Sequence, residues 1–353
     1  MQKKIALLVC AMTSMIAFKQ AVAAVAHPMG NNLELTSADG NFRIGFKGNL
    51  QENNQFTYRK KGEEGEKDFK MELKRARLIL QGHAFRPSLT YLVQTGFEKP
   101  KGSELDSRLG ANILKDYYVN LAFNEKYAHL RVGKFLTPLS RQQMMSNTFD
   151  QDEASKWFGD DLRTNGRDVG LMLHNTHHHP LEYALAAVSS GIYARIGYNH
   201  NHIDGYDPVD WHGGGLRFGI AKSMFLHFDY KSAKFEDYRS SIDAIVKIAG
   251  FAANAAFYWK LKRQEKANKE MENIHGYGAG VDLGYLIHGM AEPVVRYSWH
   301  KDADSAKGFH EILAGINYYP YGHHLKIQAY GGADVRDKDL SKWKLGLQVQ
   351  FAI

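Results

Sequence analysis

The last ten residues of the sequence, "KLGLQVQFAI" (344–353), alternate throughout. Leu345, Leu347, Val349, Phe351 and Ile353 take one parity; Lys344, Gly346, Gln348, Gln350 and Ala352 take the other. Successive side chains of a strand point to opposite faces, so this period puts the large apolar groups on one side and the polar ones on the other. A soluble sandwich can contain such a strand, so the fold depends on how often the pattern recurs and on what joins the copies.

It recurs along the whole chain. Phe42, Ile44, Phe46 and Leu50 alternate with Arg43, Gly45, Lys47, Asn49 and Gln51; Leu89, Tyr91, Val93 and Phe97 alternate with Thr90, Gln94 and Glu98. Tyr117, Val119, Leu121 and Phe123 repeat it, as do Phe218 and Ile220 around Arg217, and Val281, Leu283 and Tyr285 around Asp282 and Gly284. Sixteen segments read this way, near 41–51, 69–85, 89–98, 114–123, 128–135, 167–174, 181–189, 212–221, 224–234, 241–247, 252–261, 274–286, 293–300, 309–319, 325–334 and 341–353. Short connectors (86–88, 124–126, 221–223, the turn at Gly250, 319–324) take turns with long polar ones (59–68, 99–113, 136–166, 190–211). That rhythm belongs to an up-and-down barrel across a membrane, with tight turns at one end and loops at the other. The expected fold class is therefore all-β, a transmembrane antiparallel barrel of sixteen strands.

Hydrocarbon offers no hydrogen bonds, so such a sheet must close on itself. The final decapeptide is expected to be the closing strand, its Leu, Val and Phe facing lipid and its Lys and Gln facing water inside. Trp211, Tyr258, Trp259, Tyr318, Tyr319 and Trp343, near strand ends, are expected to form the interfacial girdles.

Composition agrees. Over 353 residues, 44% are apolar and 12% aromatic, with 33 glycines, which is globular and β-leaning. Lys3 and Lys4 precede an apolar stretch from Ile5 to Phe18, followed by the small-x-small triplets Ala21-Val22-Ala23 and Ala24-Val25-Ala26. This is the layout of a secretory signal peptide, expected to occupy 1–23 with cleavage possible up to 26, leaving a barrel over 27–353. Cys10 lies inside it, so disulfides and thiol catalysis are not expected of the mature chain. Loss of Lys3, Lys4 and Lys19 lowers the formal net charge from +7 to +4. Beyond this segment no run of 18 apolar residues occurs, so no transmembrane helix is expected.

If apolar side chains face lipid, the interleaved ones face the lumen. Arg43, Lys47, Arg75, Arg77, Arg131, Arg217, Lys247, Lys260, Arg296, Lys326, Lys342 and Lys344 then stand against Asp116, Asp168, Glu182, Asp229, Asp243, Asp282 and Glu311. Basic rings in a narrow pore favour anions, because low-dielectric walls focus the field. The same groups could instead pair with the acids and only solvate the lumen. Other chemistry is weakly supported. His177, His178 and His179 precede Pro180 in what reads as a solvated turn; "GYGAGVDLG" (276–284) lacks the helix that a phosphate cradle needs. No nucleophile elbow occurs, and basic residues without exposed aromatic platforms do not suggest nucleic-acid binding. No catalytic residue, metal or cofactor is expected.

Four stretches resemble the outer-membrane porins of the phosphate-selective O and P family: "SADGNFRIGFKGNLQ" (37–51), "LKRARLILQGHAF" (73–85), "LKDYYVNLAFNEKYAHLRVGKFLTPLS" (114–140) and "GRDVGLML" (166–173). They occur in order, and the later half matches by strand rhythm. The chain departs from the family at Asn49, where a basic residue is frequent, and at Ile353, where an aromatic is usual.

The resemblance implies a homotrimeric sixteen-stranded pore, with the loop after "RVGKF" folded inward as a constriction. Folded so, 136–166 would bring Arg141, Lys156 and Arg163 beside Asp160 and Asp161, with Arg167 at the start of the next strand. The expected role is passive diffusion of small hydrophilic solutes across the outer membrane of a Gram-negative cell, with weak to moderate preference for anions, phosphate among them. The partners expected are membrane lipids and lipopolysaccharide, the solutes, and the outer-membrane assembly machinery. A surface adhesin or receptor acting through its loops is the alternative.

Overall fold

The computed structural model describes residues 22–24, 33–61, 64–97, 113–145, 162, 166–175, 179–229, 234–265, 271–301, 308–336 and 339–353. Sixteen strands form the wall: β1 (Arg43–Lys61), β2 (Glu64–Ala84), β3 (Arg86–Gly96), β4 (Leu114–Asn124), β5 (Ala128–Leu136), β6 (Arg167–His174), β7 (Leu181–Val188), β8 (Gly191–His200), β9 (Arg217–Asp229), β10 (Lys234–Ile248), β11 (Phe251–Glu265), β12 (Met271–Tyr285), β13 (Ala291–Lys301), β14 (Phe309–Tyr318), β15 (Leu325–Arg336) and β16 (Asp339–Ala352). Each is antiparallel to the next, and β16 pairs with β1 from Lys342↔Arg59 to Ala352↔Asn49. The sheet is closed. Ile353 exchanges both backbone bonds with Gly48, and the short strand Leu33–Ser37 pairs with the start of β1. It leaves no open edge along this seam for another chain to pair with.

The distribution of side chains is inverted relative to a soluble protein. On β16, Leu345, Leu347 and Phe351 are 55%, 43% and 53% exposed on the outer face, while Gln348 and Gln350 are 0% exposed on the inner one. The same holds around the wall: Gln51, Asn53, Gln94, Asn120, Asn254, Asn317 and Gln328 are buried inside. Leu50, Leu78, Val119, Leu171, Ile196, Val295 and Ile316 stand exposed outside. Water would penalise such an exterior, and hydrocarbon rewards it by about 1.5–3 kcal/mol for each large side chain covered. Phe85, Phe123, Tyr127, Tyr285, Tyr318 and Tyr321 ring the outside of the end that carries Ile353, here called the terminal end.

Several expectations need correction. The sixteen expected segments and the sixteen strands agree in number through two errors that cancel. The stretch 190–211, expected to be a loop, contains β8. Its apolar residues fall on both faces, with Tyr193 inward between Ile192 and Ala194, and that hides the period. The stretches 212–221 and 224–234 are one strand, β9, which runs through the expected turn at 221–223, with Lys222 opposite Ile196 on one side and Ile242 on the other. The expected loop 59–68 is largely an extension of β1 and β2, paired up to Lys61↔Glu64. Of the expected girdle residues, Trp259, Tyr318 and Trp343 lie on the outer face, whereas Tyr258 and Tyr319 are buried within and Trp211 packs inside against Tyr319.

Candidate pore and constriction site

After β5 the chain turns into the barrel. Leu139 and Leu162 are wholly buried against Phe135, Met172, Ala186, Val188, Tyr193, Phe225 and Tyr258. The inner wall is apolar here because a loop, not water, covers it. Ser140 caps a single helical turn, Arg141–Met144, by accepting from the Gln143 amide at 3.1 Å. The Tyr258 hydroxyl donates to Ser140 Oγ at 2.6 Å, and the Ser241 hydroxyl donates to the Leu139 carbonyl.

Arg141, expected in the inward-folded constriction loop, anchors this loop to the inner wall. Its Nε lies 2.9 Å from Asp243 Oδ1, Nη2 donates to Asn199 Oδ1 at 2.9 Å and sits 3.6 Å from Glu182 Oε2, and its side chain has no solvent exposure. Arg195 shares both acids, with Nε 2.6 Å from Glu182 Oε1 and Nη1 2.7 Å from Asp243 Oδ2. Two guanidinium groups and two carboxylates thus neutralise one another where desolvation would make any lone charge costly. Gly205 and Gly219 make room for it: a Cβ on either would lie within 3 Å of the Arg141 guanidinium.

The connection 201–216 was expected at the loop end. It lies at the terminal end and crosses the lumen. The Tyr206 hydroxyl donates to Glu182 on β7, and Arg141 Nη1 reaches the Gly205 carbonyl at 3.4 Å. The next residue, Asp207, accepts from Nε2 of His323, which lies between β14 and β15, at 3.2 Å. Those walls are about half a circumference apart in a ring of sixteen strands. Asp207 also accepts from Trp211 Nε1 at 2.8 Å, and Asp210 accepts from Arg217 and from the Gly250 amide. Val209 packs with Leu286 and Tyr319 of two further turns. Burial pushes the carboxyl of Asp207 up, but the hydrogen bond and charge of His323 and the charge of Lys247 outweigh it and hold the group below the usual carboxylate range. Burial holds the His323 imidazole below its ordinary value against the pull of Asp207, and pushes the Tyr206 phenol up.

The other expected pore residues fall into two sets. Most are taken up by carboxylates: Arg43 by Glu34 at 2.7 Å, Arg167 by Asp116 at 2.9 Å, Arg296 by Asp282 at 2.6 Å, Lys344 by Glu311 at 2.8 Å, and Arg217 by Asp210. Lys47, Arg75, Arg77 and Arg131 lie on the inner wall of β1, β2 and β5. Arg75 donates to Gln51, and Arg131 sits 4.2 Å over the Tyr118 ring. A β-bulge opposite Gln51 and Glu52 turns Arg75 and Arg77 inward although Leu73, of the same parity, faces out. Lys156, Asp160, Asp161 and Arg163 lie outside the described residues, as do His177 and His178. Among the described residues no three metal-binding side chains converge.

Arg195, Asn199, Tyr206, Asp207 and His323 were not anticipated. The signal that could have exposed them is "IDGYDPVDWH" (203–212), whose Ile203, Tyr206, Val209 and Trp211 are too apolar for a solvated loop.

Comparison with solved structures places this architecture. The outer membrane channel DcaP of Acinetobacter baumannii superposes with a TM-score of 0.61 at 11% identity, covering 90% of this chain and 99% of that one. The anion-selective porin from Comamonas acidovorans gives 0.60 at 13%, covering 88% and 99%. A loop L8 deletion mutant of OmpT, an outer membrane protein of Vibrio cholerae, gives 0.60 at 11%, also covering 88% and 99%. The fold is that of an outer-membrane porin. At these identities the likeness is one of fold alone. No protein-family model matches the chain, and no curated protein does so.

Proposed function

We propose that this porin-fold barrel is an outer-membrane channel for passive diffusion of small hydrophilic solutes, with weak to moderate preference for anions. The observation that carries the reading is the inverted barrel, apolar outside and polar within, with Lys47, Arg75, Arg77 and Arg131 on the inner face of β1, β2 and β5. The facing acid, Asp116, is engaged by Arg167. Guanidinium forks on a low-dielectric wall attract and orient oxyanions, so phosphate and carboxylates are the favoured solutes. The sequence stretches similar to the phosphate-selective O and P porins support the same class. Insertion follows export on a cleaved signal, through the outer-membrane assembly machinery, into a membrane bearing lipopolysaccharide. A homotrimer is part of this reading: Glu52 and Asn54 face outward at mid-height on β1, next to Val349 and Leu347 of β16, where protein is a better neighbour than lipid.

Reversal potentials of the purified protein in planar bilayers under a KCl gradient test it. The expected sign is that of chloride preference, and a cation-selective reversal would refute it. The segment across the lumen favours the second reading, a closed barrel acting through its loops. Liposome swelling separates the two, since a closed barrel admits no sugar.

A further inference from the structure

Lys222, on the outer face of the barrel, is a lysine that the channel reading does not use. Lys222 lies in the middle of β9 with Ile196 and Ile242 as its cross-strand neighbours, both exposed on the apolar exterior. Among the described residues its ammonium has no hydrogen-bond or ion-pair partner. A cation on the lipid-facing side near mid-height is disfavoured unless it reaches the interface and meets an anion there.

The neighbouring strands supply a place for one. Beside Lys222, a groove of about 410 Å³ runs over β10, β11 and β12 towards the loop end. Its upper part is polar and aromatic. Trp259 Nε1 donates to His275 Nδ1 at 3.2 Å, and the two rings are stacked 9° from parallel. An indole N–H only donates, so His275 Nδ1 must accept and the proton resides on Nε2, turned away from Trp259. Tyr238 meets Trp259 edge-on at 5.2 Å, and Tyr277 stacks on the other side of His275 at 6.2 Å. The lower part of the groove, Ile242 and Phe257, is apolar.

We propose that this groove binds a phosphate-bearing membrane lipid, its phosphate held at the Lys222 ammonium beside the polar aromatic part of the groove and its acyl chains lying over Ile242 and Phe257. The ammonium complements an anion; the aromatic bed suits the interface, where amphipathic rings settle. The apolar floor suits a lipid tail and offers nothing to a free anion. Because Lys222 points away from the lumen, the inference rests only on the exterior facing lipid, not on the selectivity of the pore.

Native mass spectrometry of the detergent-folded protein tests it, with phosphatidylglycerol or lipid A as probe and diacylglycerol of matched chains as the phosphate-free control. The wild type should retain either phosphate-bearing lipid about tenfold better than diacylglycerol, about 1.4 kcal/mol in affinity. Lys222→Met should lose that preference and Lys222→Arg should keep it, both barrels remaining folded by heat-modifiable migration and unchanged in conductance. Three results would overturn the proposal: equal retention by Lys222→Met, equal binding of diacylglycerol, or displacement of the lipid by excess inorganic phosphate alone.

Discussion

Arg141 and Asp243 are 102 residues apart in sequence and meet twice inside the barrel, once through the arginine side chain at 2.9 Å and once through its backbone amide at 3.2 Å. Neither side chain is exposed. The contact decides where the inward loop starts, and Asp243 serves Arg195 as well. Replacement Asp243→Ala leaves two buried guanidinium groups facing Glu182 alone. Breaking such a pair is expected to destabilise the barrel by about 3–5 kcal/mol. A lowered thermal transition, with single-channel conductance raised as the loop loses its anchor, is the expected outcome; unchanged conductance would show that the loop is held elsewhere.

Closure of the terminal end should weaken in acid. His323 is held below its ordinary value, so its imidazole takes up a proton first where the segment has undocked, and the stability it contributes is present above about pH 6.5 and lost as pH falls through the folded value. Asp207 is also held low, so its contribution is present above about pH 4 and disappears in a second, more acidic step. Hydrogen exchange of the 203–211 amides should therefore quicken on going from neutral to mildly acid pH. His323→Asn should remove the first step and leave the second.

Selectivity should reside on the β1, β2 and β5 wall. Arg75→Gln, Arg77→Gln and Arg131→Gln are each expected to move the reversal potential in a KCl gradient towards zero, and together to abolish anion preference. Arg296→Gln makes the contrast. It leaves Asp282 without its bidentate partner, at 2.6 and 3.0 Å, and should act mainly on stability.

The exterior makes a separate prediction. Val119, outward on β4 and away from the closing seam, replaced by Arg should destabilise the barrel by about 2–4 kcal/mol, as measured by urea titration in lipid. Asn120→Leu, one residue away but inward, should leave the membrane-facing surface unaltered and cost instead the hydrogen bond that Asn120 Oδ1 accepts from His174 Nε2 at 2.9 Å. Equal effects of the two changes would contradict the assignment of faces.

Most of the wall was legible because its signal is local. The period of two survives wherever the outer residue is apolar and the inner one polar, as in β16, β4 and β13. It failed where an inner residue was apolar because a loop covers it, as at Tyr193 on β8, and where an outer residue was charged, as at Lys222 on β9. At Tyr193 the inner wall meets a loop in place of water. Several basic lumen residues meet carboxylates, and partners such as Asp116 of Arg167 and Glu311 of Lys344, two strands away, leave no trace in the neighbouring sequence.

The sequence by itself determined most of the strands, their faces and the closure of "KLGLQVQFAI" onto the first strand, because alternation between oil and water is written residue by residue. Only the tertiary structure decided that Arg141 is an anchor and that 201–216 spans the lumen. Which wall an inward segment meets depends on the curvature of the closed sheet, which brings Glu182 and His323 to either side of Tyr206 and Asp207.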